Sequence, residues 1–139
     1  MTAPRILLDT CAAMFLMANE RMTDAARKVL AATAASGAPL HVSPFTAWEV
    51  GMMEGRGRFR SSLTPQRWWS TLLSAPGIEL SPLSAEILMQ SWSLPGRLNK
   101  DPADRVIAAT AREYGYTIVT RDRALLAYGR EGHIRAVEC

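Results

Sequence analysis

The stretch Arg5-Ile6-Leu7-Leu8-Asp9-Thr10 passes from an apolar run to a carboxylate within one residue. The apolar run is typical of a short buried β-strand, and Asp9 closes it. Much later, the run Tyr116–Val119 is followed by Asp122. If these two strands are parallel neighbours, both carboxylates emerge at the edge of the sheet where ligand sites lie in such folds. The two strands therefore indicate an acidic site on an α/β fold.

Extended and helical patterns alternate along the rest of the chain. Predicted strands cover 5–8, 40–42, 78–80 and 117–119, with a fifth near the end of the sequence. Predicted helices cover 11–19, 24–35, 44–55, 65–73, a segment from Ser84 to the Pro95-Gly96 pair, 102–114, and a short segment after Asp122. This alternation predicts one domain, residues 1–139, with three α/β/α layers and a central, mainly parallel sheet.

Composition narrows the class of protein. Hydrophobic residues make up 48% of the 139 residues, without a bilayer-spanning run or a leader-like start, so we expect a soluble cytoplasmic protein without membrane contact. Cys11 and Cys139 are too few for a disulfide framework or paired zinc ligands. The net charge of +3 comes mainly from arginine, which favours phosphate contact. Charge alone does not establish nucleic-acid binding.

Two further carboxylates lie on apolar helix faces. Glu49 follows Phe45 by four residues and precedes Met52 by three, so it shares an apolar stripe. Asp104 precedes Ile107 by three residues and Ala108 by four. Both helices are therefore expected to aim a carboxylate inward.

The four carboxylates Asp9, Glu49, Asp104 and Asp122, gathered at one edge, would repel one another unless protons or a cation offset their charge. An oxygen-only cluster suggests Mg²⁺ or Mn²⁺. Each acid taken singly also has a structural explanation, because Asp is favoured at helix starts. Their conjunction favours a metal site.

Four segments together resemble the PIN-domain family, particularly the VapC-like ribonuclease toxins of toxin–antitoxin pairs. The segments are Ile6–Thr10, Ser43–Val50, Asp101–Ala111 and Ile118–Asp122. The resemblance covers nearly the whole chain. Their order and spacing are specific, although each segment alone is a loose motif.

The resemblance implies a PIN-like fold and a Mg²⁺- or Mn²⁺-dependent endoribonuclease that acts as the toxin of a type II toxin–antitoxin pair. Asp9, Glu49, Asp104 and Asp122 would be the catalytic, metal-binding acids, with Thr120 as a supporting hydroxyl and Thr10 as a weaker one. The implied partners are RNA, a cognate antitoxin and a second copy of the chain. The sequence shows no DNA-binding motif of its own, so we expect no direct sequence-specific DNA binding.

Several charged residues near these motifs have open roles. Asp101 fits a helix cap, since Pro102 suits the first helical position, but it could instead tune the site. The run Arg56, Arg58 and Arg60 is either a phosphate contact or a solvated loop. Arg105 and Arg121, adjacent to proposed ligands, either contact substrate or brace the site.

Histidines and large apolar residues are expected to be structural. His41 and His133 are not placed as a general base or a ligand pair. The tryptophans and several methionines could line a groove for an amphipathic antitoxin helix, but burial in the core is the favoured interpretation for each one singly. The residues concerned are Trp48, Trp68, Trp69, Trp92, Met14, Met17, Met52 and Met53. Because Trp68 and Trp69 are adjacent in a helix, they cannot face the same direction, and one of them could face a partner.

The sequence leaves alternative functions open. A haloacid-dehalogenase-like phosphatase would have an Asp at the position of Cys11, and a receiver domain would have a lysine after the last strands. A flap-type DNA nuclease would need a longer chain. The remaining alternatives are a metal-dependent nuclease outside toxin–antitoxin biology and a non-catalytic PIN-like module that binds another protein.

Overall fold

The computed structural model describes residues 4–139. Its five strands are β1 (Ile6–Leu8), β2 (Leu40–Val42), β3 (Ile78–Leu80), β4 (Thr117–Thr120) and β5 (Arg135–Glu138). The helices are α1 (Thr10–Met17), α2 (Asp24–Ala35), α3 (Pro44–Gly55), α4 (Pro65–Ser74), α5 (Ala85–Gln90), α6 (Pro102–Tyr114) and α7 (Arg123–Arg130). The predicted alternation of strands and helices is confirmed.

The strands form one parallel sheet in the order β3-β2-β1-β4-β5. Strand β1 lies at the centre, and it pairs with β2 on one side and β4 on the other. The chain runs outward from β1 in one direction through β2 and β3, and in the other through β4 and β5. A crevice therefore opens beyond the carboxyl ends of β1 and β4, where ligands bind in sheets of this kind.

Two hydrophobic clusters cover the two faces of the sheet. In β1, Ile6 and Leu8 pack with residues of α1, α2, α3 and α4, whereas Leu7 packs on the opposite face with α6 and α7. All three side chains are fully buried. A strand that is buried on both faces has a continuous run of apolar residues, and this run is the sequence pattern that predicts β1. The predicted three-layer α/β/α fold is confirmed.

The caps of α6 were predicted from sequence and are present. The Asp101 side chain accepts a hydrogen bond from the Ala103 amide at 2.9 Å, and Pro102 occupies the first turn. Gly115 ends the helix with φ 71°, a left-handed conformation that favours glycine. These caps fix the position of Asp104 in the first turn of α6.

Helix α5 is shorter than predicted. It ends at Gln90, and the Ser91 hydroxyl donates to the Leu88 carbonyl at 2.6 Å, so the side chain satisfies a backbone acceptor at the helix end. Residues 91–101 form a loop between α5 and α6. Asn99 of this loop donates a hydrogen bond to Asp104 of α6.

Two tryptophans contradict the expectation of core burial. Trp68 is 3% exposed and packs in the core, but Trp48 is 54% exposed and Trp92 is 62% exposed. Trp48 stacks on Phe45, with ring centroids 5.0 Å apart, and Trp92 lies over the guanidinium group of Arg105. Side-chain partners at the surface account for both rings, which sequence pattern alone does not reveal.

The expected structural roles of the histidines are confirmed. His41 is buried, with Nδ1 3.2 Å from the Ile6 carbonyl oxygen, and His133 packs against Tyr128. Over residues 4–139, every helix is too short or too polar to span a bilayer.

Candidate active site

The four predicted carboxylates line one pocket at the crevice beyond β1 and β4. Asp9 follows β1, Glu49 lies in the middle of α3, Asp104 lies in the first turn of α6, and Asp122 precedes α7. The pocket has a volume of about 270 Å³. Its other lining residues are Thr10, Cys11, Asp101, Ala103, Ile107 and Arg121. The fold thus brings together acids that lie more than a hundred residues apart in sequence.

Asp9 is held by hydrogen bonds to both carboxylate oxygens. The Ala12 amide donates to Oδ1 at 2.8 Å, and the Thr120 hydroxyl donates to Oδ2. The side chain is only 7% exposed. Burial raises the pKa of Asp9, the Thr120 and Ala12 hydrogen bonds oppose the rise, and the charge of Asp122 adds to it.

Glu49 accepts a hydrogen bond from a hydroxyl group of α1. The buried Thr10 hydroxyl donates to Glu49 Oε1, and the Thr46 hydroxyl lies 3.0 Å from that of Thr10. Burial raises the pKa of Glu49 to about 7, the bond from Thr10 lowers it, and the charges of Asp101, Asp9 and Asp104 raise it further. Glu49 is therefore poised between its charged and neutral forms near neutral pH.

Asp104 is 9% exposed and accepts a hydrogen bond on Oδ2 from the Asn99 side-chain amide at 3.0 Å. Burial raises the pKa of Asp104 to about 7, the Asn99 bond lowers it, and the charge of Asp122 is the largest of the neighbouring charges that raise it. Asp104 thus resembles Glu49 in its electrostatic environment. A cation in the pocket would lower the pKa of both acids.

Asp122 has a structural contact as well as a place in the pocket. Its side chain caps α7 by accepting from the Leu125 amide at 3.0 Å. Its own amide donates to the Thr120 hydroxyl oxygen at 2.9 Å. Thr120 therefore connects Asp9 and Asp122, which gives the supporting role assigned to its hydroxyl a geometric basis.

The candidate arginines have different surroundings. Arg121 lines the acidic pocket, donates to the Cys139 carbonyl at 2.9 Å and lies over the Phe15 ring. Arg105 instead turns toward the 91–101 loop, where it donates to three backbone carbonyls. The remaining candidate arginines are exposed and lie outside the pocket lining: Arg56, Arg58 and Arg60.

The donor set suits a hard divalent ion, because carboxylate oxygens are the ligands that Mg²⁺ and Mn²⁺ prefer. Within residues 4–139, however, no three Asp, Glu, His or Cys side chains lie close enough together to coordinate one ion directly. Mg²⁺ usually retains several waters and takes one or two carboxylates together with substrate phosphates. The arrangement therefore fits a hydrated ion held loosely by the pocket acids.

Three residues of the site were not predicted. Asn99 contacts Asp104, Thr46 neighbours Thr10, and Cys11 lines the pocket, where burial raises the pKa of its thiol. The position of Thr46 one turn before Glu49 was a usable signal, because residues three or four apart share a helix face. Asn99 lies in an irregular loop, where periodicity carries no such signal.

Comparison with known proteins identifies the family. Ribonuclease VapC22 of Mycobacterium tuberculosis is 28% identical over 89 residues, which cover 64% of this chain and 67% of that protein. The structure of VapBC2 from Rickettsia felis bound to promoter DNA covers 96% of this chain and 97% of its own, with a TM-score of 0.66 and 17% identity. The match to the structure of DNA-bound VapBC from Salmonella typhimurium covers 99% of this chain and 98% of that one, with a TM-score of 0.61 and 20% identity.

These structures share the fold of this chain, and the VapC22 match confirms the predicted resemblance to VapC-like proteins. At the level of families, residues 6–131 match the PIN domain. The matched range begins at β1 and ends just after α7, so it includes all four pocket acids. The chain belongs to the PIN domain family.

Proposed function

We propose that this protein is a divalent-metal-dependent endoribonuclease that acts as the toxin of a toxin–antitoxin pair. The observation that carries the proposal is the convergence of Asp9, Glu49, Asp104 and Asp122 on one pocket at the crevice of the sheet. The name of the relative Ribonuclease VapC22 supports RNA as the substrate. Burial and the charges of neighbouring acids raise the pKa of Glu49 and of Asp104, and a cation in the pocket would offset the repulsion between these acids.

The four acids would hold Mg²⁺ or Mn²⁺. When bound, such an ion would lower the pKa of an attacking water and offset the negative charge of a scissile phosphate. Thr120 and Thr10 hold Asp9 and Glu49 in fixed orientations. Arg121 lines the same pocket and would bind an RNA phosphate through a charge-assisted hydrogen bond. The chemistry therefore requires no side-chain nucleophile.

An antitoxin partner is supported by a second surface and by the solved VapBC complexes. Met14, Met17 and Trp68 line a groove of about 270 Å³ between α1 and the segment that precedes α4. A groove with apolar walls suits the apolar face of an amphipathic helix. Arg60 also lines this groove, so it would contact an acidic residue of the partner rather than the scissile RNA.

The test is cleavage of a pool of structured RNAs by purified, antitoxin-free protein with Mg²⁺, Mn²⁺ or a chelator. We expect metal-dependent cleavage by the natural sequence and none by Asp9→Asn, which keeps the size of the side chain and removes its charge. Circular dichroism would establish that both proteins are folded. Absence of cleavage by the folded natural protein would contradict the proposal and favour a protein-binding module.

A further inference from the structure

The 91–101 loop is attached to α6 by one arginine. Arg105 Nε donates to the Ser91 carbonyl at 2.7 Å, and Nη1 donates to the carbonyls of Leu98 and Asn99, both at 3.1 Å. The exposed Trp92 ring covers the guanidinium, with Cζ 5.0 Å from the ring centroid. Both ends of the loop are therefore fixed to a residue that directly follows Asp104 in the first turn of α6.

One polar side chain of this loop, Asn99, contacts an acid of the pocket directly. Asn99 Nδ2 donates to Asp104 Oδ2 at 3.0 Å, and Asn99 Oδ1 accepts from the Asp101 amide at 3.1 Å. The second bond fixes which end of the amide faces Asp104, because the acceptor oxygen is already engaged by an N–H donor. Asn99 is thereby held as a donor to the carboxylate, and its orientation depends on a backbone that Arg105 holds.

We propose that Asn99 is a positioning residue for the metal site, and that Arg105 serves the same purpose by holding the backbone of Asn99. This inference rests on the proposed metal-dependent function. A donor on Oδ2 restricts rotation of the Asp104 carboxylate and leaves Oδ1 for a cation. Replacing a hydrogen-bond partner that orients a metal ligand in this way typically weakens metal binding by about 10- to 100-fold.

The same geometry argues against RNA contact by Arg105. Its Nε and Nη1 groups are directed at backbone carbonyls, and the tryptophan ring covers the guanidinium. A planar guanidinium can reach several carbonyls at fixed angles, which a lysine ammonium cannot reproduce. Arg105 is therefore suited to hold a loop, whereas Arg121 remains the pocket-lining cation.

The experiment measures Mn²⁺ binding to RNA-free protein by titration calorimetry, together with the unfolding temperature of the metal-free protein. We expect Asn99→Ala to weaken Mn²⁺ binding by about 10-fold or more. Lys100→Ala changes an exposed neighbour in the same loop and should bind Mn²⁺ like the natural sequence. For the arginine, Arg105→Lys should weaken binding, whereas Arg97→Lys, an exposed control in the same loop, should not.

The outcomes separate this inference from the proposed function. If Asp104→Asn weakens Mn²⁺ binding and Asn99→Ala does not, the metal site stands and the positioning role is overturned. A lower unfolding temperature in Asn99→Ala with unchanged Mn²⁺ affinity would likewise show a structural role and overturn the inference. If the natural sequence binds no Mn²⁺, both the metal site and the positioning role fail.

Discussion

At the scale of single residues, hydroxyl groups determine how two of the pocket acids are held. Thr120 donates to Asp9 and accepts from the Asp122 amide, and it is fully buried. Thr10 plays the corresponding part for Glu49. A hydrogen bond to the charged form of a carboxylate lowers its pKa, so these threonines oppose the effect of burial.

Replacing Thr120 with valine keeps the shape of the side chain but removes its hydroxyl. We expect Thr120→Val to lower the free energy of unfolding by about 1–3 kcal/mol at pH 7.5, because Asp9 and the Asp122 amide each lose a buried partner. Cleavage of RNA should fall as well. Urea unfolding and a cleavage assay would measure the two effects.

Thr120→Ser is the matched control, since it retains the hydroxyl. We expect it to preserve most of the cleavage rate, with a smaller loss of stability from the missing methyl group. Equal activity in the valine and natural proteins would show that the hydroxyl does not support Asp9.

Single residues also show where prediction from sequence ends. Asp9 could be placed in the site because it terminates a recognisable strand and its neighbours fix the direction of the chain. Asn99 could not, because its contact with Asp104 depends on an irregular loop held by Arg105. Burial was the expectation for Trp92 because the sequence does not reveal that the Arg105 guanidinium lies against its ring.

At the scale of elements, the first turn of α6 carries two acids with different contacts. Asp101 caps the helix, whereas Asp104 faces the pocket and accepts from Asn99. Asp101 also lines the pocket, and its charge contributes to the raised pKa of both Glu49 and Asp104. Its capping role and its electrostatic role can be separated, because asparagine caps helices about as well as aspartate.

We expect Asp101→Ala to lower the free energy of unfolding by about 1 kcal/mol through loss of the cap. Asp101→Asn should retain that stability, since its side-chain oxygen can still accept from the Ala103 amide. Both variants should cleave RNA within a few-fold of the natural rate. Chemical denaturation and cleavage assays on the pair would test this.

A large loss of cleavage in Asp101→Asn, with stability unchanged, would contradict this expectation and show that cleavage requires the charge of Asp101. The two variants differ in the cap but share the loss of charge. A defect common to both is therefore electrostatic.

The elements themselves were largely predictable, for a physical reason. Strands such as β1 and β4 are buried on both faces and read as apolar runs, and helices such as α6 begin and end at residues with strong positional preferences. Helix α5 was predicted too long because the serine that ends it acts through a side-chain hydrogen bond. Local bonds of this kind do not alter hydrophobic periodicity.

At the scale of the whole molecule, the strand order places acids from four elements in one crevice, so stability and charge are coupled. Burial raises the pKa of Asp9, Glu49 and Asp104 above their unfolded values. At a pH between its unfolded and folded pKa values, such an acid binds more protons in the folded protein than in the unfolded chain. The protein is therefore stabilised at low pH by these groups and loses that stabilisation as pH rises.

We expect the free energy of unfolding of the metal-free protein to fall as pH rises from about 4.5 toward 7. Each carboxyl contributes a slope of up to about 1.4 kcal/mol per pH unit over the interval between its unfolded and folded pKa values. Asp104→Asn removes one such group, so its slope should be shallower and its stability at pH 7.5 equal or higher. Urea unfolding over this pH range would measure both.

A metal-free protein whose stability rises steadily from pH 4.5 to 7 would contradict the assigned pKa shifts. Lys100→Ala serves as a control, because it changes an exposed charge outside the pocket lining. Its slope should match that of the natural sequence.

A divalent ion should reverse this loss of stability. At pH 7.5, where the pocket acids are most heavily charged, Mn²⁺ at 100 times its dissociation constant should raise the free energy of unfolding by about 2.7 kcal/mol. Near pH 4.5 the same concentration should have little effect, because protons then occupy Glu49 and Asp104, two of the acids that would bind the ion. Thermal unfolding with Mn²⁺, with chelator, and with NaCl at matched ionic strength would separate site binding from screening. Stabilisation equal in Mn²⁺ and NaCl, or undiminished in Asp104→Asn, would contradict a cation site in the crevice, since a bound ion gains from the pocket acids whereas screening by salt does not depend on Asp104.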